Sequence, residues 1–249
     1  PELKDVANRW LLVKEIDKGT TQREIAKKLG IKLKYSILGA AVNNKNCGLS
    51  YRLYQPKCIN FFDILSPEGR RTYIRSLSLM LMALICCPSP IETVLVKEVS
   101  PEHEVSITHS VSRGLYCELR KDGKTVEATL DEIDNIKSHM KMYVNNGMPI
   151  EREEMMTTEA LELFKGRPSQ QKLIEQHGEV YTTVHKLENV AAVMYGDLVP
   201  NTSIVDVWDL IPYFDGMLLR LPDSSNPEVL GNMIKQDKMF GIFQEFDEW

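Results

Sequence analysis

The 249 residues predict an α+β protein in two unequal domains. Three observations carry that prediction. A capped short helix sits among short strands in the first 66 residues, a long apolar-striped helix follows from Arg70 to Ile85, and the rest alternates short strands with amphipathic helices without an internal repeat. The length supports two domains, because a single core rarely organises so long a chain. Hydrophobic residues make up 43% and charged residues 26%, the balance of a folded globular chain rather than a disordered or membrane-spanning one. The longest apolar run, Leu77 to Cys87, is too short to cross a bilayer and lies too far into the chain for a secretion signal. No membrane partner is predicted, and a cytoplasmic location is expected.

Each element has a local cause. Arg9–Ile16 alternates around Trp10, Leu12 and Ile16 and reads as a strand. Thr21 and Glu24 have the spacing of a capping box, which starts a helix over Gln22–Leu29, and Gly30 supplies its left-handed stop. Ile25, Ala26 and Leu29 fall on one face, a stripe that belongs on a sheet. Ala40-Ala41-Val42 then runs as a strand into the Asn43-Asn44 turn, and Leu49–Leu53 and Ile59–Ile64 read as further strands. Together these predict a small ubiquitin-like β-grasp unit over residues 1–66, closed by a boundary at Ser66-Pro67-Glu68-Gly69.

In the larger domain, residues 67–232, the first helix carries Leu77, Met80, Leu81 and Leu84 at helical spacing and stops at Pro88-Ser89-Pro90. Strands are predicted at Thr93–Val99, Val105–His109 and Leu115–Arg120, the last turning at Asp122-Gly123. Ile133, Ile136, Met140 and Val144 mark a helix ending at Asn146-Gly147, and Thr158–Phe164 and Gln170–Gln176 are short helices around Arg167-Pro168. Strands return at Val180–His185, Val190–Tyr195, Ile204–Ile211 and Met217–Leu221. Residues 233–249 carry Met239, Phe240, Phe243 and Phe246 at helical spacing and read as a terminal helix.

Charge and cysteine usage narrow the function classes. Residues 1–79 hold 15 Lys and Arg against 7 Asp and Glu, whereas residues 80–249 hold 15 against 28. A basic front and an acidic back imply surfaces with different partners. Cys47, Cys58, Cys86, Cys87 and Cys117 match no paired-ligand zinc spacing, and their odd number argues against a closed disulfide framework, so buried free thiols are expected. His103, His139, His177 and His185 show no mutual spacing of a metal site, and Glu151, Glu153 and Glu154 read as a charge run facing water.

Two stretches carry a family likeness. Gly19-Thr20-Thr21 with Glu24-Ile25-Ala26 and Ala40-Ala41-Val42-Asn43-Asn44 resembles the small β-grasp domain at the front of threonyl-tRNA synthetases and some regulatory GTPases. Tyr195-Gly196-Asp197-Leu198-Val199-Pro200-Asn201-Thr202 resembles the loop of the synthetase's second, editing domain in which a Cys and a His precede a Val-Pro-Ser-Thr-Gly segment. With Tyr73–Ser78, His109–Glu118, Phe214–Arg220 and Gln236–Phe240 in the same order, nearly the whole chain is similar to the front of bacterial uridine kinase-family proteins, which carry both synthetase-like domains ahead of a P-loop kinase domain.

The resemblance implies a β-grasp domain, a fold like the synthetase's second domain, and a terminal helix leading to a kinase domain absent from these residues. It also implies lost chemistry. The family's His-x-x-x-His pair falls on Arg75 and Leu79, and its Cys-x-x-x-His pair on Met194 and Leu198. Leu and Met neither donate a proton nor ligate zinc, and Arg accepts no hydrogen bond. No editing catalysis by that route, no zinc and no catalytic residue are therefore expected.

No G-x-x-x-x-G-K-[ST] occurs, so phosphoryl transfer, with its ATP and magnesium, is expected only from the kinase domain, itself an expected partner. The expected role is a non-catalytic regulatory or binding module of a uridine kinase-like protein, the alternative an RNA module that grips a tRNA acceptor end. The remnant pocket implied by the resemblance gathers Arg75, His109, Tyr195, Asp197, Asn201 and Thr202 for a small anionic or nucleotide ligand, with Arg70 and Arg71 as anion or RNA-backbone contacts.

Overall fold

The computed structural model describes residues 21–52, 58–86, 103–121 and 124–233. The predicted strands at Arg9–Ile16 and Thr93–Val99, the stop at Pro88-Ser89-Pro90, the turn at Asp122-Gly123 and, but for Met233, the terminal helix over 233–249 lie outside them. The described chain is a mixed α/β structure of antiparallel sheets, as the α+β expectation required. It divides into two compact units: residues 1–76 with 147–204, and residues 77–146 with 205–249.

In the first unit, α1 (Gln22–Lys28) begins at the predicted capping box: Glu24 N–H donates to Thr21 Oγ1, and the Thr21 N–H donates to the Glu24 carboxylate. Gly30 takes the left-handed conformation at φ 61°. Strand β1 (Gly39–Val42) turns through Asn43 and Asn44, both at positive φ, into β2 (Lys45–Cys47), and β3 (Ile59–Phe62) pairs on its other side. Ile25 of α1 packs with Val42 and Cys47, which closes this small core.

The predicted strand Leu49–Leu53 does not form across its described part. Its carbonyls are used elsewhere: Leu49 and Tyr51 accept from the N–H groups of Arg23 and Gln22 and so satisfy two of the amides left open at the N-terminal end of α1. The strand pairing with β1 is instead β2, hidden in the sequence by its polar residues.

Helix α2 (Pro67–Cys86) starts three residues before the predicted Arg70. Ser66 Oγ accepts from Gly69 N–H at 3.0 Å and donates to Asp63 O at 2.8 Å, so Ser66-Pro67 is a helix start. A Cβ on Gly69 would lie 1.8 Å from Asp63 O, which leaves only glycine there. The predicted one-sided stripe is also too narrow. Thr72, Tyr73, Ser76, Leu77, Ser78, Leu79, Met80 and Leu81 are all buried, so α2 is enclosed on several faces.

The first unit continues with β7 (Ile150–Met156), β8 (Tyr181–Leu187) and β9 (Val190–Val193) in one antiparallel sheet. Two short helices follow the predicted pattern and will be called α4 (Thr157–Leu163) and α5 (Pro168–His177). Ala160, Phe164 and Ile174 pack with Val184 and Val193 on one face of the sheet. Strand β7 had been read only as a solvated charge run. Its glutamates do face water, but the backbone pairs residue for residue with β8.

The second unit holds β4 (His103–Val111), β5 (Gly114–Lys121) and β6 (Lys124–Val126), then α3 (Leu130–Asn146), β10 (Asp209–Tyr213) and β11 (Gly216–Arg220). Its sheet runs β10-β11-β5-β4 with β6 on β5. Ile133, Ile136 and Met140 of α3 are buried as predicted, and Gly147 follows at φ 60°. The predicted strand Ile204–Ile211 forms only from Asp209. Ahead of it, Ser203 N–H donates to Asn201 Oδ1 and Ile204 N–H to Asn201 O, which winds residues 202–204 into a 3-10 turn.

Cys47 and Cys117 are buried free thiols; Cys58 is free but exposed, against expectation. Burial pushes the Cys117 thiol up to about 12. No helix among the described residues is long and apolar enough to cross a membrane.

Candidate functional site

Helix α2 and the loop Tyr195–Thr202 meet. Ser76 Oγ donates to Thr72 O at 2.8 Å and accepts from Val199 N–H at 3.0 Å, which fastens the loop to the helix through one buried hydroxyl. One residue earlier, the Arg75 guanidinium lies over Gly196. A Cβ on Gly196 would be 2.6 Å from Arg75 Cζ, and Gly196 sits at φ 112°, so this contact needs glycine twice over. Burial lowers the pKa of Arg75 and Arg71 adds to that, whereas Asp197 opposes it.

Asp197 is the loop's charged residue on this side. Desolvation raises its pKa; a hydrogen bond from Gly48 N–H, and then the charges of Arg152, Arg75 and Lys45, pull it back. Three cations from three elements, β2, α2 and β7, thus act on one half-buried carboxylate. The sequence pointed to Arg75 and Asp197, and the structure brings them together.

It adds a residue that had been set aside. His185 of β8 is 1% exposed, and neither ring nitrogen has a hydrogen-bond partner. Its register partner across the sheet is Arg152. Burial lowers its pKa to about 4, with Arg152 and Arg75 contributing, so the ring is neutral at pH 7. The sequence signal was present but weak: in Tyr181-Thr182-Thr183-Val184-His185, alternation puts Tyr181, Thr183 and His185 on the face opposite the buried Val184.

Tyr181 and Thr183 of that face, though not His185, line a cavity of about 650 Å³ whose charged residues are Lys45 and Arg152 against Asp197, Glu154 and Glu179. Its volume lies in the range of small-molecule sites. Arg152 also donates to Thr183 Oγ1 at 3.3 Å, which orients its guanidinium along the strand pair.

The other sequence-predicted residues are placed differently. Tyr195 donates its hydroxyl to Leu173 O at 3.0 Å and sets its ring edge-on to His177, both on α5. Desolvation raises its pKa, with Glu179 adding. Asn201 has both ends of its amide engaged, donating to Gly147 O at 2.9 Å and accepting from Ser203 N–H at 2.7 Å. Thr202 is buried, and its N–H donates to Met148 O. These three hold the loop's shape. His109 stands on β4 in the second unit, beside the register shift between Ile107 and His109. Arg71 is exposed and pairs with Glu68 at 3.0 Å one helical turn away, and Arg70 is half-buried.

Of the four positions where the resemblance had placed catalytic groups, Arg75 is half-buried, Leu79 and Leu198 are buried, and Met194 is partly buried. Among the described residues, no group of three or more His, Cys, Asp or Glu is placed to hold a metal ion.

No protein-family model matches the chain. Individual proteins do. The chain is 27% identical over 199 residues, 80% of its length, to a threonine–tRNA ligase of Thermotoga neapolitana, and 27% identical over 198 residues to that of Thermotoga maritima. A threonine–tRNA ligase of Clostridium botulinum is 28% identical over 167 residues, 67% of the chain. The chain spans less than a third of the length of these relatives, 29% of the Thermotoga enzymes and 24% of the clostridial one. These relatives carry the synthetase half of the sequence resemblance, whereas the kinase half rests on the quoted residues alone. The chain is thus similar to one region of the threonine–tRNA ligases, with an α+β fold that fits that region.

Proposed function

We propose that the chain is a tRNA-binding module related to the front of threonine–tRNA ligase, without that region's hydrolytic residues. The observation that carries this reading is the likeness to these ligases over 80% of the chain, combined with Arg75, Leu79, Met194 and Leu198 where the resemblance expects His and Cys. A binding role without the hydrolytic one follows, because none of those four side chains can activate water.

A specific surface supports it. Arg23, Lys27 and Lys28 on α1, with Lys32 and Lys34 just beyond, are all exposed, and only Glu24 on α1 offsets them. Clustered cations of this kind contact phosphates and release counterions, so affinity should fall steeply with salt. The module of a uridine kinase-like protein is the second reading; it rests on the sequence resemblance, and the ligase relatives weigh toward tRNA.

Fluorescence anisotropy with a labelled threonine-accepting tRNA tests the first reading. Saturable binding is expected, with the slope of log K against log salt reduced by about 1–2 in a Lys27→Gln, Lys28→Gln double variant. Binding absent at low salt, or unaffected by that variant and by salt, rejects it.

A further inference from the structure

We infer that the cavity between β2 and the β7–β8 face is a binding site for a free basic α-amino acid: Lys45 and Arg152 take its carboxylate, Asp197 its α-ammonium, and Glu154 and Glu179 the cationic end of its side chain. The first argument is the set of charges. Three carboxylates and two cations line this one space, and no two of them close an ion pair with each other. Opposite charges kept apart around a cavity fit a ligand that carries both signs, with one positive charge in excess. A basic amino acid near pH 7 has that balance, one carboxylate against two cationic groups.

The second argument is the order of the charges. Alternate residues of a strand share a face, and the β7–β8 register sets Arg152 opposite His185, Glu154 opposite Thr183 and Met156 opposite Tyr181. Along that face a cation is followed by a carboxylate and then by an aromatic ring, with Glu179 just ahead of the start of β8. The charges of Lys45 and Arg152 both act on Asp197. One end of the cavity therefore holds two cations and one carboxylate, and the other holds the two glutamates. Arg152 and Glu154 lie about 7 Å apart along the strand, and the six bonds from the carboxyl carbon of lysine to its Nζ span about the same length.

The end that takes the head of the amino acid is held in place. Arg152 donates to Thr183 Oγ1 at 3.3 Å, and Gly48 N–H donates to the Asp197 carboxylate. A Cβ on Gly48 would lie 3.0 Å from Asp197 Oδ1, so the bare backbone of Gly48 admits that carboxylate. The other end is open, because Glu154 and Glu179 are exposed. Tyr181, 54% exposed, and Tyr51 add rings to the lining, and the face of such a ring attracts a cation.

Calorimetric titration of the wild-type protein at pH 7 with L-lysine, L-arginine, L-norleucine, 1,5-diaminopentane and L-glutamate tests each part. Lysine and arginine should bind saturably, with Kd below about 1 mM. Norleucine lacks the distal cation and diaminopentane lacks the carboxylate; each should bind at least about tenfold more weakly, and glutamate should not bind. Glu154→Gln should lower lysine affinity at least about tenfold and leave norleucine unchanged, whereas Arg152→Gln should weaken both. Both residues are exposed, and unchanged urea midpoints check that the variants fold. No saturable binding of lysine or arginine up to about 10 mM, norleucine or diaminopentane binding as tightly as lysine, or wild-type lysine affinity in both variants overturns the inference. It does not depend on the tRNA reading, whose test uses Lys27 and Lys28 and leaves the cavity intact, so either can fail without the other.

Discussion

Two neighbouring regions of the first unit treat buried polarity in opposite ways. Where α2 meets the loop, the Ser76 hydroxyl both donates and accepts, and Asn201 has both ends of its amide engaged. On the β8 face, His185 is buried as deeply as Ser76, and neither of its ring nitrogens has a partner. The first arrangement is architecture: hydrogen bonds among protein groups alone complete it. The second leaves two buried ring nitrogens without a protein partner. The contrast teaches that the loop resembling the synthetase segment is held by its own hydrogen bonds, through Asn201, Thr202 and Tyr195, while the unmet polar group lies outside it.

The largest expected effect comes from acid. His185 titrates near 4 in the folded protein and at an ordinary value near 6.5 once unfolded. The unfolded state therefore takes up the proton first, so this group removes stability as pH falls from about 6.5 through 4, by roughly 3 kcal/mol once the fall is complete. Asp197, raised by desolvation, acts with the opposite sign. Urea titrations of the wild type and His185→Met at pH 7 and pH 4.5 should show the loss in the wild type and a much smaller one in the variant. Equal losses in both would mean that His185 is not the sensor.

Next is the satisfied region. Ser76→Ala strips a buried Val199 N–H of its acceptor and should cost about 1–3 kcal/mol in denaturant unfolding at pH 7. His185→Met at the same pH should be neutral or stabilising, because it removes an orphaned polar group. A reversal of that order would break the comparison. Gly196→Ala should cost about 1–2 kcal/mol from its positive φ alone, with a further loss because its Cβ must displace the Arg75 guanidinium, readable in denaturant unfolding. Smallest is Arg71→Ala: its pair with Glu68 is solvent-exposed and should be worth less than about 0.5 kcal/mol in thermal unfolding.

Features whose cause lies within a few residues were legible from the sequence. The Thr21–Glu24 box, the Gly30 stop, the Asn43-Asn44 turn, the helix over Ile133–Met140 and the two short helices around Pro168 were all readable, because caps, turns and periodicity act over one or two turns of chain. Arg75 and Asp197 were reached through the motif that contains them.

Tertiary structure alone decided the rest. Residues 49–51 read as a strand until α1 claimed their carbonyls, a bond between segments about 27 residues apart. The stripe on α2 could not reveal that Ser76 and Ser78 are buried as well, because a serine is polar by identity and buried only by what packs against it. His185 had no motif, and Arg152 looked like one cation in a run of glutamates. Only the β7–β8 register sets them opposite each other, and only the fold around that pair buries the ring without a protein partner. Local chemistry writes the elements, but burial and unmet hydrogen bonds belong to pairs of residues distant in sequence, and those pairs exist only once the chain has folded.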